Sequence, residues 1–336
     1  MRALLVRLSA IGDVIHTLPA LAALRGAGWE VDWLAEPASG ALLEDNPALR
    51  RRVPAPPAKA FRFGPARAAL GALRRARYDV ALEAQGLWKS AAWARLSGAR
   101  RVVGWERRFR REPASALLLG ETRPVPAAAV HVIDKNLSLL AAVGIEALGR
   151  REFPLPVSAG AQARADAELR ALGADRFALL LPGGGWPNKL WPAERHAELA
   201  AALGRRGLRS LVAWGPGERP LAERVAAASG GAAAACFETT LLELVAVIRR
   251  ASVVVGADTG PLHLACAVGA PVVGLYGPTD PARNGPFASA DEVVREAPSC
   301  APCHRRSCPV HDRVMERLGS DAVLAAVERR LGRGRA

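Results

Sequence analysis

The sequence predicts an α/β protein in two halves, on three observations. Short apolar runs rich in β-branched or leucine residues lead straight into polar, glycine-bearing turns, and each turn opens a helical pattern. One such junction begins the first half, and two lie in the second. In parallel α/β sheets these turns sit at the carboxyl ends of strands, where free N–H groups and the positive end of a helix dipole receive anions. The 336 residues, 50% of them hydrophobic, suffice to bury two cores of roughly 150 residues each.

The first element is a strand over 3–8, followed by Ser9-Ala-Ile-Gly-Asp13 and a helical pattern running to about Arg25, with Pro19 ending or offsetting its first turn. Asp13, beside Gly12 and near His16, is placed either to accept a proton or hydroxyl hydrogen bond at the sheet edge, or to cap the helix. Proline spacing and small residues in Phe153-Pro-Leu-Pro-Val-Ser-Ala-Gly160 read as a linker, dividing the chain into 1–155 and 156–336. A strand over 177–182 then enters Gly183-Gly-Gly-Trp-Pro-Asn-Lys189, and a helix follows near 192–206. The three glycines allow close backbone approach to a ligand, and Lys189 supplies a compact charge or stands solvated at the helix start. Only four lysines occur among 46 basic residues, and arginine's planar fork does not replace a point charge in a tight loop. A strand over 210–214 precedes Glu218. The run 252–257 is a buried strand; Asp258 and Thr259 are helix-cap types, Gly260 frees the turn, and Pro261 suits the first helical turn. That segment is either an anion site or an ordinary capped junction. The last element is a helix from Ser320 to Leu331.

Five cysteines complete the inventory. Cys236 and Cys266 read as small buried residues. Cys300, Cys303 and Cys308, with His304 and His311 nearby, suggest a structural metal site, a redox-sensitive pair or inert thiols, because a fourth metal ligand is ambiguous.

Taken in order, Leu8-Ser-Ala-Ile-Gly-Asp-Val-Ile-His-Thr-Leu-Pro19, Ala84-Gln-Gly-Leu-Trp-Lys-Ser90, Lys189-Leu-Trp-Pro192 and Asp258-Thr-Gly-Pro-Leu-His263 resemble the lipopolysaccharide heptosyltransferases, glycosyltransferase family 9, over nearly the whole chain. Ala84-Gln-Gly86, Arg111-Glu-Pro-Ala-Ser115 and His131-Val-Ile-Asp-Lys-Asn136 are closer to the heptosyltransferase I branch than to the second. The resemblance implies a GT-B fold: two Rossmann-like domains facing across a cleft, the first binding acceptor and the second the nucleotide sugar. The final helix commonly packs back toward the first domain. It also implies inverting transfer from ADP-L-glycero-β-D-manno-heptose to the Kdo of lipid A, with no cofactor and no metal on the diphosphate. Asp13 matches the general base. Lys189 and the N–H groups of Thr259 and Gly260 match the diphosphate contacts, Glu218 the ribose contact, and Asp258 and His263 contacts to the donor sugar or phosphate, His263 being alternatively a buried interhelical hydrogen bonder. Gly184 and Gly185 stand where hydroxyl-bearing residues often touch the phosphates, so backbone amides would carry that binding. Thr239 stands where an apolar side chain often meets the base. The family's cysteine cluster commonly has a further member near Arg313-Val-Met315, which this chain lacks.

Charge is uneven. The net charge is +14, of which residues 1–150, with 23 basic and 13 acidic side chains, carry +10. Among the basic positions Arg62, Lys89, Arg110 and Arg111 suit an acidic, lipid-linked saccharide acceptor at an anionic membrane; equally, much of the arginine reflects coding bias and solvated surface. No run of about 18 apolar residues and no signal-peptide pattern occurs, so the expected location is cytoplasmic, peripheral on the cytoplasmic face of the inner membrane. A sugar-nucleotide epimerase would share the architecture but give Asp13 no role. A nucleic-acid-binding protein would explain the charge, yet the aromatic content is 5% and no recognition motif is present.

Overall fold

The computed structural model describes residues 1–57, 63–303, 305–308 and 313–334. The chain forms two compact units, Met1–Pro156 and Val157–Ala336. Each is built on a six-stranded sheet in which every pairing is parallel, with helices between strands.

The first unit contains β1 (Arg2–Val6), β2 (Glu30–Ala35), β3 (Arg51–Pro54), β4 (Val80–Glu83), β5 (Arg101–Trp105) and β6 (Glu121–Arg123), ordered β3-β2-β1-β4-β5-β6. The second contains β7 (Phe177–Leu181), β8 (Arg209–Val212), β9 (Ala233–Ala235), β10 (Val253–Ala257), β11 (Val272–Tyr276) and β12 (Glu292–Arg295), ordered β12-β11-β10-β7-β8-β9. Counted within each unit, both are the Rossmann order 3-2-1-4-5-6. The chain reverses its direction of travel between β1 and β4 in the first sheet and between β7 and β10 in the second. A crevice opens at the carboxyl end of such a reversal because the two neighbouring connections leave in opposite directions. The loops carrying Asp13 and Gln85 flank the first reversal, and those carrying Lys189 and Asp258 the second.

Strands covered on both faces must be apolar throughout, and they are: Val253, Val254 and Val255 are wholly buried, as are Phe177 to Leu180. Each such side chain contributes about 1.5–3 kcal/mol relative to exposure. The expected helix to Arg25 is two helices, Ile11–Ile15 and Leu18–Gly26. Pro19 cannot donate to the carbonyl of Ile15, and the Thr17 hydroxyl instead bonds the Asp13 carbonyl at 2.8 Å, so the chain restarts at Leu18. The helix Leu241–Arg250 begins with a capping box: Glu243 N donates to Thr240 Oγ1 at 3.3 Å and Thr240 N to Glu243 Oε2 at 2.7 Å.

The last helix, Ser320–Gly332, sets Val323, Leu324, Ala326 and Val327 into the second unit's core, alongside Val253, Val255 and Val273. Its Arg330, 2% exposed, meets Asp291 at 2.9 Å. No helix among the described residues is long and apolar enough to cross a membrane.

Candidate functional site

In the first unit, Asp13 lies in the short helix after β1 with 43% of its side chain exposed. Its Oδ1 receives Arg7 Nη2 at 2.6 Å, while among the described residues Oδ2 is met only by the amide of Ala10, at 3.3 Å. Arg7 is buried, and its other terminal nitrogen donates to the carbonyl of Ala84. The Gln85 side chain accepts from Leu8 N at 2.8 Å, and Glu83, the last residue of β4, accepts from the amides of Gln85 and Gly86 at 3.0 and 2.9 Å. The loops after β1 and β4 are therefore stitched together beneath the exposed carboxylate.

The basic residues expected around this edge separate. Arg111 is exposed. Arg110 is enclosed: its guanidinium pairs with Glu83 at 2.6 Å, neither side chain reaching solvent, and its Nε donates to Ser115 Oγ at 2.9 Å. Arg110, expected at the acceptor, thus braces the interior here, since a charge paired out of water costs several kcal/mol to uncouple. Lys89 pairs with Glu36 at 2.8 Å and remains partly exposed. Lys135 is half-buried, donating to Phe109 O at 2.6 Å and lying 4.5 Å from the Trp105 ring centre. Arg62 lies outside the described residues.

In the second unit, Asp258 ends β10 with a side chain 2% exposed, and every oxygen it has is engaged by protein. Lys189 Nζ reaches Oδ2 at 2.6 Å; His263 Nε2 and the Asn284 amide both meet Oδ1, the former at 3.1 Å. Burial alone would push this carboxyl up. The hydrogen bond and charge of His263, joined by Lys189, outweigh burial and hold it well below the usual carboxylate range. Both oxygens of Asp258, a residue expected to face sugar hydroxyls, are engaged by protein, and the carboxylate anchors Lys189 and His263. Lys189 sits 4.7 Å from the Trp186 ring centre, so a flexible four-carbon stem becomes a fixed charge.

Thr259 occupies the cap position of the helix Gly260–Ala267 without capping it, and its Oγ1 is buried with no hydrogen-bond partner among the described residues. The glycine loop explains itself by approach distance. A Cβ on Gly184 would stand 2.7 Å from Thr259 Cγ2, and one on Gly183 would stand 2.1 Å from Glu218 Oε2. Glu218 thereby reaches under the loop after β7, its Oε2 also receiving Gly215 N at 2.9 Å. Gly185 is exposed, with nothing near its α-carbon face. Thr239 is half-buried in the loop before Leu241.

Cys236 and Cys266 are buried, and burial pushes the Cys236 thiol up to about 12. Among the described residues no three His, Cys, Asp or Glu side chains converge to hold a metal ion, Cys300, Cys303 and Cys308 included. His304 and His311 lie outside the described residues. Three residues of these sites had not been singled out from sequence: Arg7, Glu83 and Asn284. Arg7 had a visible signal, a charge directly after a buried strand. Asn284 had none.

The sequence model of a family described as glycosyltransferase family 9 (heptosyltransferase) matches residues 67–313. The chain is 33% identical over 323 residues to lipopolysaccharide heptosyltransferase 1 of Pseudomonas aeruginosa, covering 92% of this chain and 87% of that protein. Among solved structures it is similar to Escherichia coli heptosyltransferase WaaC with ADP, at a TM-score of 0.75 and 30% identity, covering 98% of this chain and 100% of that one. The same enzyme with ADP-2-deoxy-2-fluoro heptose matches at a TM-score of 0.73 and 29% identity, covering 98% and 99%.

Proposed function

The chain belongs to glycosyltransferase family 9, and from that membership we propose that it is an inverting enzyme moving heptose from ADP-L-glycero-β-D-manno-heptose to a Kdo residue of lipid A. It is a glycosyltransferase of GT-B fold, and its relatives support heptose transfer in the lipopolysaccharide core.

The carrying observation is the edge of the second sheet. Lys189 is fixed on Asp258 beside the amino terminus of the helix Gly260–Ala267, next to a loop whose glycines admit close approach and with Glu218 underneath. Such an edge suits a nucleoside diphosphate. The diphosphate lies against Lys189 and the amides of Thr259 and Gly260, and Glu218 accepts from the ribose hydroxyls. Positive potential there counts most when the bond from the anomeric carbon to the β-phosphate oxygen breaks and charge develops on ADP.

The first unit takes the acceptor. One acceptor hydroxyl oxygen bonds to the anomeric carbon from the face opposite the departing diphosphate, and its proton passes to Asp13, whose Oδ2 is the less engaged oxygen. A single displacement inverts the configuration. Arg111 and Lys89 suit the anionic acceptor, and the positive excess of the first half supports work at the cytoplasmic face of an anionic membrane.

The test is direct: incubate the protein with ADP-heptose and Kdo-bearing lipid A, and read the product by mass and by the anomeric configuration of the new linkage. One added heptose, α-linked, is expected, with or without EDTA, because no Asp-x-Asp pair occurs in the chain to share a cation with the phosphates. Retained β configuration would overturn the single displacement. Loss on chelation, restored by magnesium with the fold intact, would overturn the metal-free reading.

A further inference from the structure

We propose that Arg7 is a positioning residue for the proton-accepting carboxylate, selecting which oxygen of Asp13 meets the acceptor hydroxyl. The inference rests on the reading of Asp13 as general base. Arg7 lies one residue beyond β1, nearly enclosed, with its backbone carbonyl held by Trp33 Nε1 at 3.1 Å. One arm of its fork grips Asp13 Oδ1 at 2.6 Å, and the other donates to the carbonyl of Ala84, at the end of β4. The backbone of Asp13 is separately fixed, its carbonyl accepting from Thr17 Oγ1 at 2.8 Å.

These contacts remove the freedom of the carboxylate to rotate about its last bond. Oδ1 is committed to a guanidinium, and Oδ2, with only a 3.3 Å amide contact, is left for a proton. The arrangement needs a fork. A lysine ammonium would keep the charge but, as a point donor on a flexible stem, would not hold a carboxylate and a carbonyl in one plane. Among the described residues Arg7 Nε is buried without a hydrogen-bond partner, so the side chain is oriented by its two terminal nitrogens.

Four full-length variants test this: Arg7→Lys, Arg7→Ala, Asp13→Asn, and Arg7→Lys combined with Asp13→Asn. Turnover, ADP affinity by calorimetry and melting temperature are measured for each. A misplaced base costs about tenfold to a hundredfold in kcat, so Arg7→Lys should lose that much while its ADP affinity stays within about twofold. Arg7→Ala should lose more, and recover in part when guanidinium is added at millimolar concentration but not with equal ammonium. In the Asp13→Asn background Arg7→Lys should cost nothing further, since Arg7 acts only through that carboxylate. If Arg7→Ala does not fold, Arg7→Lys and the double variant decide. Wild-type kcat in Arg7→Lys, or the same fractional loss with and without Asp13, overturns the inference. An Asp13→Asn enzyme that keeps its turnover overturns the underlying base assignment instead.

Discussion

Replacing Asp258 with asparagine should destabilise the second unit substantially, and the size follows from what surrounds the carboxylate. The side chain is 2% exposed, and its partners Lys189 and His263 are 16% and 7% exposed, so Asp258→Asn leaves cationic or polar groups facing a neutral amide with little water to replace the lost charge. Removing one member of a buried ion pair costs about 3–5 kcal/mol, and asparagine's ability to keep one hydrogen bond puts the value near 3 kcal/mol. For a unit of this size the melting temperature should fall by about 6–12 °C. Lys189→Met in the same background should recover part of the loss, with a coupling of about 1–3 kcal/mol, because the stranded charge goes with it. The pH dependence has a definite sign. The folded-state value of Asp258 is depressed, so its stabilisation is fully present above the unfolded value near 4 and is lost as pH falls towards the folded value. Calorimetric melts of wild type and variant should therefore differ from pH 8 to about 5, and converge only below about 4. A variant that melts within 2 °C of wild type at pH 7, or a difference that has vanished by pH 6, would refute the anchoring role.

Asp13→Asn should reduce kcat on the order of a hundredfold or more with ADP affinity within about twofold; retention of more than about a tenth of the turnover removes Asp13 as base. Gly183→Ala should push the Glu218 carboxylate from beneath the loop, since the new methyl would stand 2.1 Å from Oε2. Losing one or two charge-assisted hydrogen bonds weakens ADP binding by roughly tenfold to a hundredfold, and an unchanged calorimetric Kd would show that Glu218 does not hold the nucleotide. His196, packed edge-on against Trp191 at 4.7 Å, is pushed by burial down to about 3. The unfolded chain takes up this proton near pH 6.5 and the folded protein does not, so its contribution is lost as pH falls below 6.5. His196→Phe should then lose about 2–3 kcal/mol less than wild type between pH 6.5 and 4.5 in urea melts, and parallel curves would argue against a neutral buried imidazole.

What could be read from the sequence was local. The junctions at Asp13, Gly183 and Asp258 are each complete within about a dozen residues, because a strand, a turn and a helix start are written contiguously. Pairings between distant segments were not legible. Lys189 and Asp258, 69 positions apart, had each been assigned to the ligand from its own turn, and the fold gives them to one another. Arg7 and Ala84 are 77 apart and meet only because β1 and β4 are neighbours across the reversal in strand order. Arg110 and Arg111 differ by one position and by everything else: the irregular segment after Arg107–Phe109 has no periodicity from which inward and outward faces could be assigned.

The helix Ser320–Gly332 bears on how the protein is made. The first unit is contiguous and has all its residues once Pro156 has left the ribosome, whereas the second lacks part of its core until that helix has been synthesised. At ordinary rates of about 5–20 residues per second, the roughly 55 residues from the end of β11 at Tyr276 to the end of that helix take on the order of three to eleven seconds. For that interval the nascent β10–β11 face, with Val253, Val255 and Val273, has no cover from Val323 and Val327. Chaperone capture on the ribosome should therefore concentrate on the second unit, ending when residues 320–332 emerge and Arg330 reaches Asp291.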